Sequence, residues 1–113
     1  MAKNYLLTYS EQLATNIELL CQNIKVPSNT LFQIRKSSSS VYANIREAFY
    51  AHGKADFIAK LQIALKECSE TEYWIELILE SGYYHDKTLL DKCTEIKRIL
   101  ITSLNTAKEK NNG

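Results

Sequence analysis

Glycine and proline are scarce in this chain of 113 residues: proline occurs once, at Pro27, and glycine three times. A β-rich domain needs many tight turns, so this scarcity argues against strands and leaves long helices as the economical reading. Long apolar runs are missing too. None approaches the roughly 20 residues of a membrane span, and the N-terminal MAKNYLLTYSEQ offers only Leu6-Leu7 where a secretory signal needs a longer apolar segment. The expected location is the cytoplasm, with no membrane partner. The three cysteines, Cys21, Cys68 and Cys93, are odd in number and form no C-x-x-C pair, so neither a disulfide framework nor a zinc site is expected. They read as core filler in a reducing compartment. Only His52 and His85 could act as imidazoles, and both fall at predicted helix ends as solvated loop residues. No metal spacing and no cofactor motif is present.

Hydrophobic residues make up 45% and charged residues 24%. A chain of this length fits one domain, 1–113, able to bury roughly two thirds of its unfolded surface. Four helices are predicted. The first, about 6–25, carries Leu6, Leu13, Ile17, Leu20 and Ile24 at helical spacing. Val26-Pro27-Ser28-Asn29 ends it, because proline disfavours helical geometry in the residue before it, and Ser28 or Asn29 can cap the next. The second helix runs about 30–51, up to a break at His52-Gly53-Lys54. The third, about 55–81, has Asp56 in its first turn. One stripe holds Phe57, Leu61, Ala64, Cys68, Thr71, Ile75 and Ile78, with Ile58, Leu65 and Leu79 on a second flank. A helix apolar on two sides either sits centrally or also meets another subunit. Ser81 to Asp86 is a turn with Asp86 as N-cap. The fourth helix, about 87–107, uses Leu89, Cys93, Ile96, Leu100 and Ser103, and the tail KEKNNG is expected to fray. Short links between four helices favour an antiparallel up-down bundle of the all-α class.

The stretch Gln33–Ala48 organises the rest. Leu31, Ile34, Ser38, Val41, Ile45 and Ala48 line a packing seam, while Gln33, Ser37, Ser40, Asn44 and Glu47 form a polar stripe about 100° round the helix. Residues this small in a polar row suit a buried row that hydrogen-bonds across a helix contact and fixes register; the alternative is a serine-rich solvated face. Ser40 and Asn44 are expected in such a contact. Tyr73, Trp74 and Tyr83 add more aromatic surface than a small monomer easily hides, which points to self-association.

The net charge is +1, yet residues 33–66 carry a local +4, residues 67–86 a local −6 and residues 87–113 a local +3. Antiparallel packing sets acidic late helix three beside basic early helix four, masking Lys87 and Lys92. Lys3, Lys54, Lys108 and Lys110 gather at the other end, and with Arg46 and Lys60 they are the candidate phosphate contacts for RNA or DNA.

Gln33, Lys36, Ser37, Ser40, Val41, Ala43, Asn44, Ile45, Glu47 and Ala48 form the run Q-x-x-[KR]-S-x-x-S-[IV]-x-A-N-I-x-E-A. Asp56-Phe57-Ile58, Ile63 to Glu67, Glu70-Thr71, Tyr73-Trp74 and Gly82-Tyr83 form a second block. Both resemble the signature of the bacterial "four helix bundle protein" family, found as reading frames within intervening sequences of large-subunit ribosomal RNA genes and often misnamed ribosomal proteins. That family is related to the accessory variability determinant (Avd) of diversity-generating retroelements, a pentameric barrel that binds nucleic acid and a reverse transcriptase. The resemblance implies a ring-like homopentamer without catalysis, with RNA or DNA and a reverse transcriptase as potential partners. The enzyme alternative is a HEPN-like ribonuclease, since Arg46-x5-His52 resembles the Arg-x4-6-His motif of those small helical nucleases. Six residues on a continuous helix are about 240° apart, so the pair converges only if His52 has left the helix.

Overall fold

The computed structural model describes residues 2–112, and side chains over 5–109. Four helices follow in order: α1 (Ala2–Cys21), α2 (Ser28–Phe49), α3 (Lys54–Glu80) and α4 (Thr88–Asn112). Contacts join α1 to α2, α2 to α3, α3 to α4 and α4 back to α1, with the α2–α3 contact the most extensive. The helices therefore form a closed antiparallel square in a body 49 × 20 × 20 Å, the expected up-down bundle.

The buried stripes are those that the apolar periodicity marks. Ile17, Ile34, Val41, Ile45, Leu61, Ala64, Ile96 and Leu100 have no solvent exposure. Ser10 joins the α1 stripe between Leu6 and Leu13, fully buried, with its hydroxyl donated to the Leu6 carbonyl one turn back. A short hydroxyl can occupy a core position in this way because its own helix supplies the acceptor. In α4 the stripe passes through Leu104 and Ala107, while Ser103 is only half-buried.

Helix ends depart from the periodicity, each for a local reason. α1 stops at Cys21, four residues before the expected Lys25. Asn23 donates its side-chain amide to the Leu19 carbonyl at 2.8 Å and its backbone N–H to Leu20 at 2.9 Å, closing the helix before Pro27 would force it open. α2 begins with Pro27 at the capping position and no side-chain cap; neither Ser28 nor Asn29 caps it, and Leu31 N–H bonds the Pro27 carbonyl at 3.2 Å. α3 ends in a left-handed glycine, Gly82 at φ 80. Tyr83 N–H bonds Ile78 O at 3.1 Å and Gly82 N–H bonds Leu79 O at 3.1 Å, a Schellman closure that only a residue tolerating positive φ accommodates cheaply. Asp86 accepts from the Thr88 N–H at 2.9 Å and the Thr88 hydroxyl at 2.6 Å, so it fixes the start of α4. These bonds hold the Asp86 carboxyl below its ordinary range. α4 continues to Asn112, so the tail KEKNN is helical rather than frayed.

Ile45 lies in the centre of the core, whereas Ala43 on the same helix is exposed. Ile45→Ala is expected to cost about 2–5 kcal/mol and Ala43→Ser less than about 0.5 kcal/mol, read from urea unfolding followed by circular dichroism.

Candidate functional site

The organising face lies where α2 meets α3. Both helices bury small residues, Ser37, Ser38 and Ala48 on α2 and Ala64, Cys68 and Thr71 on α3, and Ser37 and Thr71 meet across the contact. Ser37 is the member of the polar row that crosses the contact. The single proton of the Thr71 hydroxyl is shared between Ser37 Oγ and the Glu67 carbonyl, each 2.9 Å away, and Ser37 passes its own proton to the Ile34 carbonyl at 3.3 Å. Glu47 marks the other end of the same register, its carboxylate 3.3 Å from Lys60 Nζ.

Ser40 and Asn44 depart from the expected role. Both are half-buried, and Asn44 turns its amide onto its own helix, donating to the Ser40 carbonyl at 2.8 Å and to Ser40 Oγ at 3.1 Å. The local acceptor lies one turn away and costs no ordering of a second helix, so it wins. Beside this row Glu67 is half-buried. Burial, then a hydrogen bond to the Glu70 carboxyl and that group's charge, raise the Glu67 carboxyl above its ordinary range, with Lys66 and Lys36 opposing.

Outward from this contact α3 carries a ridge at spacings of three and four: Ile63, Lys66, Glu70, Tyr73 and Leu77. Its apolar members are open to solvent, Ile63 by 42%, Tyr73 by 55% and Leu77 by 38%. Trp74 stands edge-on to Tyr73 with ring centroids 4.8 Å apart. The Trp74 indole nitrogen is buried and has no hydrogen-bond partner among the described residues. On α2 Phe32 is 60% exposed, with Lys36 Nζ 5.9 Å from its ring centroid.

The expected cationic rim is divided. Lys54, the first residue of α3, and Lys108, near the end of α4, are exposed at the same end of the bundle. The side chains of Lys3 and Lys110 lie outside the described residues. Lys60 is partly neutralised by Glu47. Arg46 lies over the Tyr42 ring, 5.5 Å from its centroid, and Tyr42 donates its hydroxyl to Glu11 of α1 at 3.1 Å. His52 is exposed in the link after α2, and no hydrogen bond joins it to Arg46 among the described residues. Toward the opposite end, acidic α3 does meet basic α4: Glu72 accepts from Lys97 Nζ and from the Thr94 hydroxyl, each at 3.0 Å, and this pairing raises the Lys97 pKa. Lys87 and Lys92, expected to be masked there, have no ion pair with α3 among the described residues: Lys92 Nζ lies 5.0 Å from the Tyr9 ring centroid of α1, and Lys87 is exposed.

No group of three or more His, Cys, Asp or Glu among the described residues is placed to hold a metal ion. Among the described residues no helix is long and apolar enough to cross a membrane. The class is thus a small antiparallel four-helix bundle in which two of the signature residues, Ser37 and Thr71, join α2 to α3. Residues 6–102 match the 23S rRNA-intervening sequence protein family, and the chain belongs to that family. It is similar to a Bacteroides thetaiotaomicron VPI-5482 protein of unknown function from the S23 ribosomal protein family, whose crystal structure superposes with a TM-score of 0.84 at 38% identity. The alignment covers 93% of this chain and 99% of that one. A search of curated proteins gives no match.

The Ser37–Thr71 bond is testable by a double-mutant cycle. Thr71→Val leaves the buried Ser37 hydroxyl without its cross-helix partner and is expected to cost about 1–3 kcal/mol. Adding Ser37→Ala should recover about 0.5–1.5 kcal/mol of that loss, measured from urea midpoints.

Proposed function

We propose that this protein is a non-enzymatic, self-assembling helical scaffold that presents the end carrying its α2–α3 link to nucleic acid. The observation that carries the reading is the exposed apolar ridge of α3, Ile63, Tyr73 and Leu77. It lies beside a buried indole N–H that has no hydrogen-bond partner among the described residues. Water-exposed aromatic and branched side chains in one row are the usual mark of a protein-binding face. A second copy would cover the ridge and could supply an acceptor to Trp74. Resemblance sets the number at five, in a ring.

A ring repeats each protomer's Lys54 and Lys108 around one rim, so a weak monomer charge becomes a multivalent basic surface. Family membership supports an RNA context, and the likeness to the retroelement accessory protein adds a reverse transcriptase as a candidate partner. The binding envisaged is weak and tolerant of sequence, because phosphate contacts dominate it.

Light scattering should give about 65 kDa, five times the 13.0 kDa chain. Tyr73→Glu with Leu77→Glu should release 13 kDa monomers that keep their helicity. A wild-type mass of 13 kDa across a dilution series would overturn the assembly.

For nucleic acid, fluorescence anisotropy with a labelled single-stranded RNA is expected to show binding at low salt that is lost at moderate salt. Each phosphate contact adds roughly 0.7 to 0.9 to the slope of log affinity against log salt. Lys54→Glu with Lys108→Glu should weaken binding more than Lys87→Glu with Lys92→Glu. Equal effects would deny the rim a role, and no binding at low salt would leave a protein as the partner.

A further inference from the structure

Where α3 packs on α4, two free cysteines meet in the core. Cys68 Sγ and Cys93 Sγ are 3.7 Å apart, and neither residue has any solvent exposure. Each sulfur also lies 3.4 Å from the other residue's carbonyl oxygen, so each thiol can donate across the contact and the two residues stand directly opposite one another. From 3.7 Å the sulfurs need to close by only about 1.6 Å to reach disulfide bonding distance. Cys21, also buried, forms no such pair.

We propose that Cys68 and Cys93 are a latent disulfide site, which a peroxide or a small-molecule disulfide converts to an α3–α4 bridge when that helix contact opens locally. With hydrogen peroxide, one thiol takes up an oxygen to become a sulfenic acid and releases water. The second thiol then displaces that oxygen as another water. One S–S bond replaces two S–H bonds, and the two electrons end on the peroxide oxygens. With a small disulfide, exchange through a mixed disulfide releases two small thiols. In the closed bundle the pair is inert. The hydrogen bond to Cys68 that the Cys93 thiol makes as donor, and then burial, hold that thiol far above its ordinary range, and the thiolate is the reactive form. The rate of bridging therefore follows how often α3 and α4 part, and the bridge, once made, staples them across 25 residues of chain.

The test uses the full chain carrying Cys21→Ser, so that only two thiols remain. It is treated with hydrogen peroxide at urea concentrations rising toward, but below, the unfolding midpoint. It is then denatured, alkylated with N-ethylmaleimide and weighed. The expected product has lost two hydrogens, carries no alkyl group, forms faster as urea rises, and melts on the order of 10 °C higher than the reduced chain. The wild-type chain, mapped by peptide digestion, should show the same bridge with Cys21 alkylated. Two alkylated thiols at every urea concentration would overturn the proposal. So would a bridge between two chains, or a bridged bundle that melts lower than the reduced one.

Discussion

The close approach of α2 to α3 is the constraint on which the rest of the structure depends. Small facing residues let two helices approach closely, and here two of them, Ser37 and Thr71, carry hydroxyls. A buried hydroxyl without a partner costs about 1–3 kcal/mol, so this contact had to be solved as a hydrogen-bonding problem as well as a packing one. Most of the hydroxyls are satisfied within their own helix, as Ser38 is by the Arg35 carbonyl at 3.3 Å. Among the described residues Ser37 and Thr71 form the one buried hydrogen bond across the contact, and the more exposed Glu47–Lys60 pair joins the same two helices further along. That buried crossing bond makes the register discrete, because sliding α3 by one turn would part the two hydroxyls.

Cys68 and Thr71 lie within one turn of each other on α3 and face different neighbours. Thr71 meets α2 and Cys68 meets α4. At this level α3 is therefore tied on both sides through small side chains, and Ile45, Leu61, Ile75 and Ile96 fill the core around them. The outer shell adds less. Arg35 holds Glu18 with two bonds of 3.0 and 2.9 Å, but both groups are substantially exposed, and such pairs contribute about 1 kcal/mol or less.

The bundle, its helix order and its buried stripes were legible in the sequence because burial repeats with the helical period over many turns. Helix ends were not, because each turns on a single local bond: the Asn23 amide stops α1 early although Ile24 keeps the period, and nothing in the tail KEKNN interrupts α4. The polar row was legible as a row with Ser37 in it, but the two members expected in the contact, Ser40 and Asn44, bond within α2. Asn44 and Ser37 stand on the same stripe, and only the position of Thr71 on a different helix decides which of them crosses. The same limit hid the meeting of Cys68 with Cys93 and the loss of Lys60 to Glu47. Spacing places a residue on a face; it does not say what stands opposite.

The exposed ridge of α3 belongs to the helix that is held most firmly. Ile63, Tyr73 and Leu77 project from a segment fixed on one side by the Ser37–Thr71 bond and on the other by the cysteine contact. Side chains on such a support have already lost their backbone freedom on folding, so covering them costs little further order than their own rotamers. A ridge on a mobile loop would lose far more on burial. The small residues that look structural in the sequence and the large ones left in water are thus two faces of one arrangement, in which a tight inner contact makes a rigid outer one.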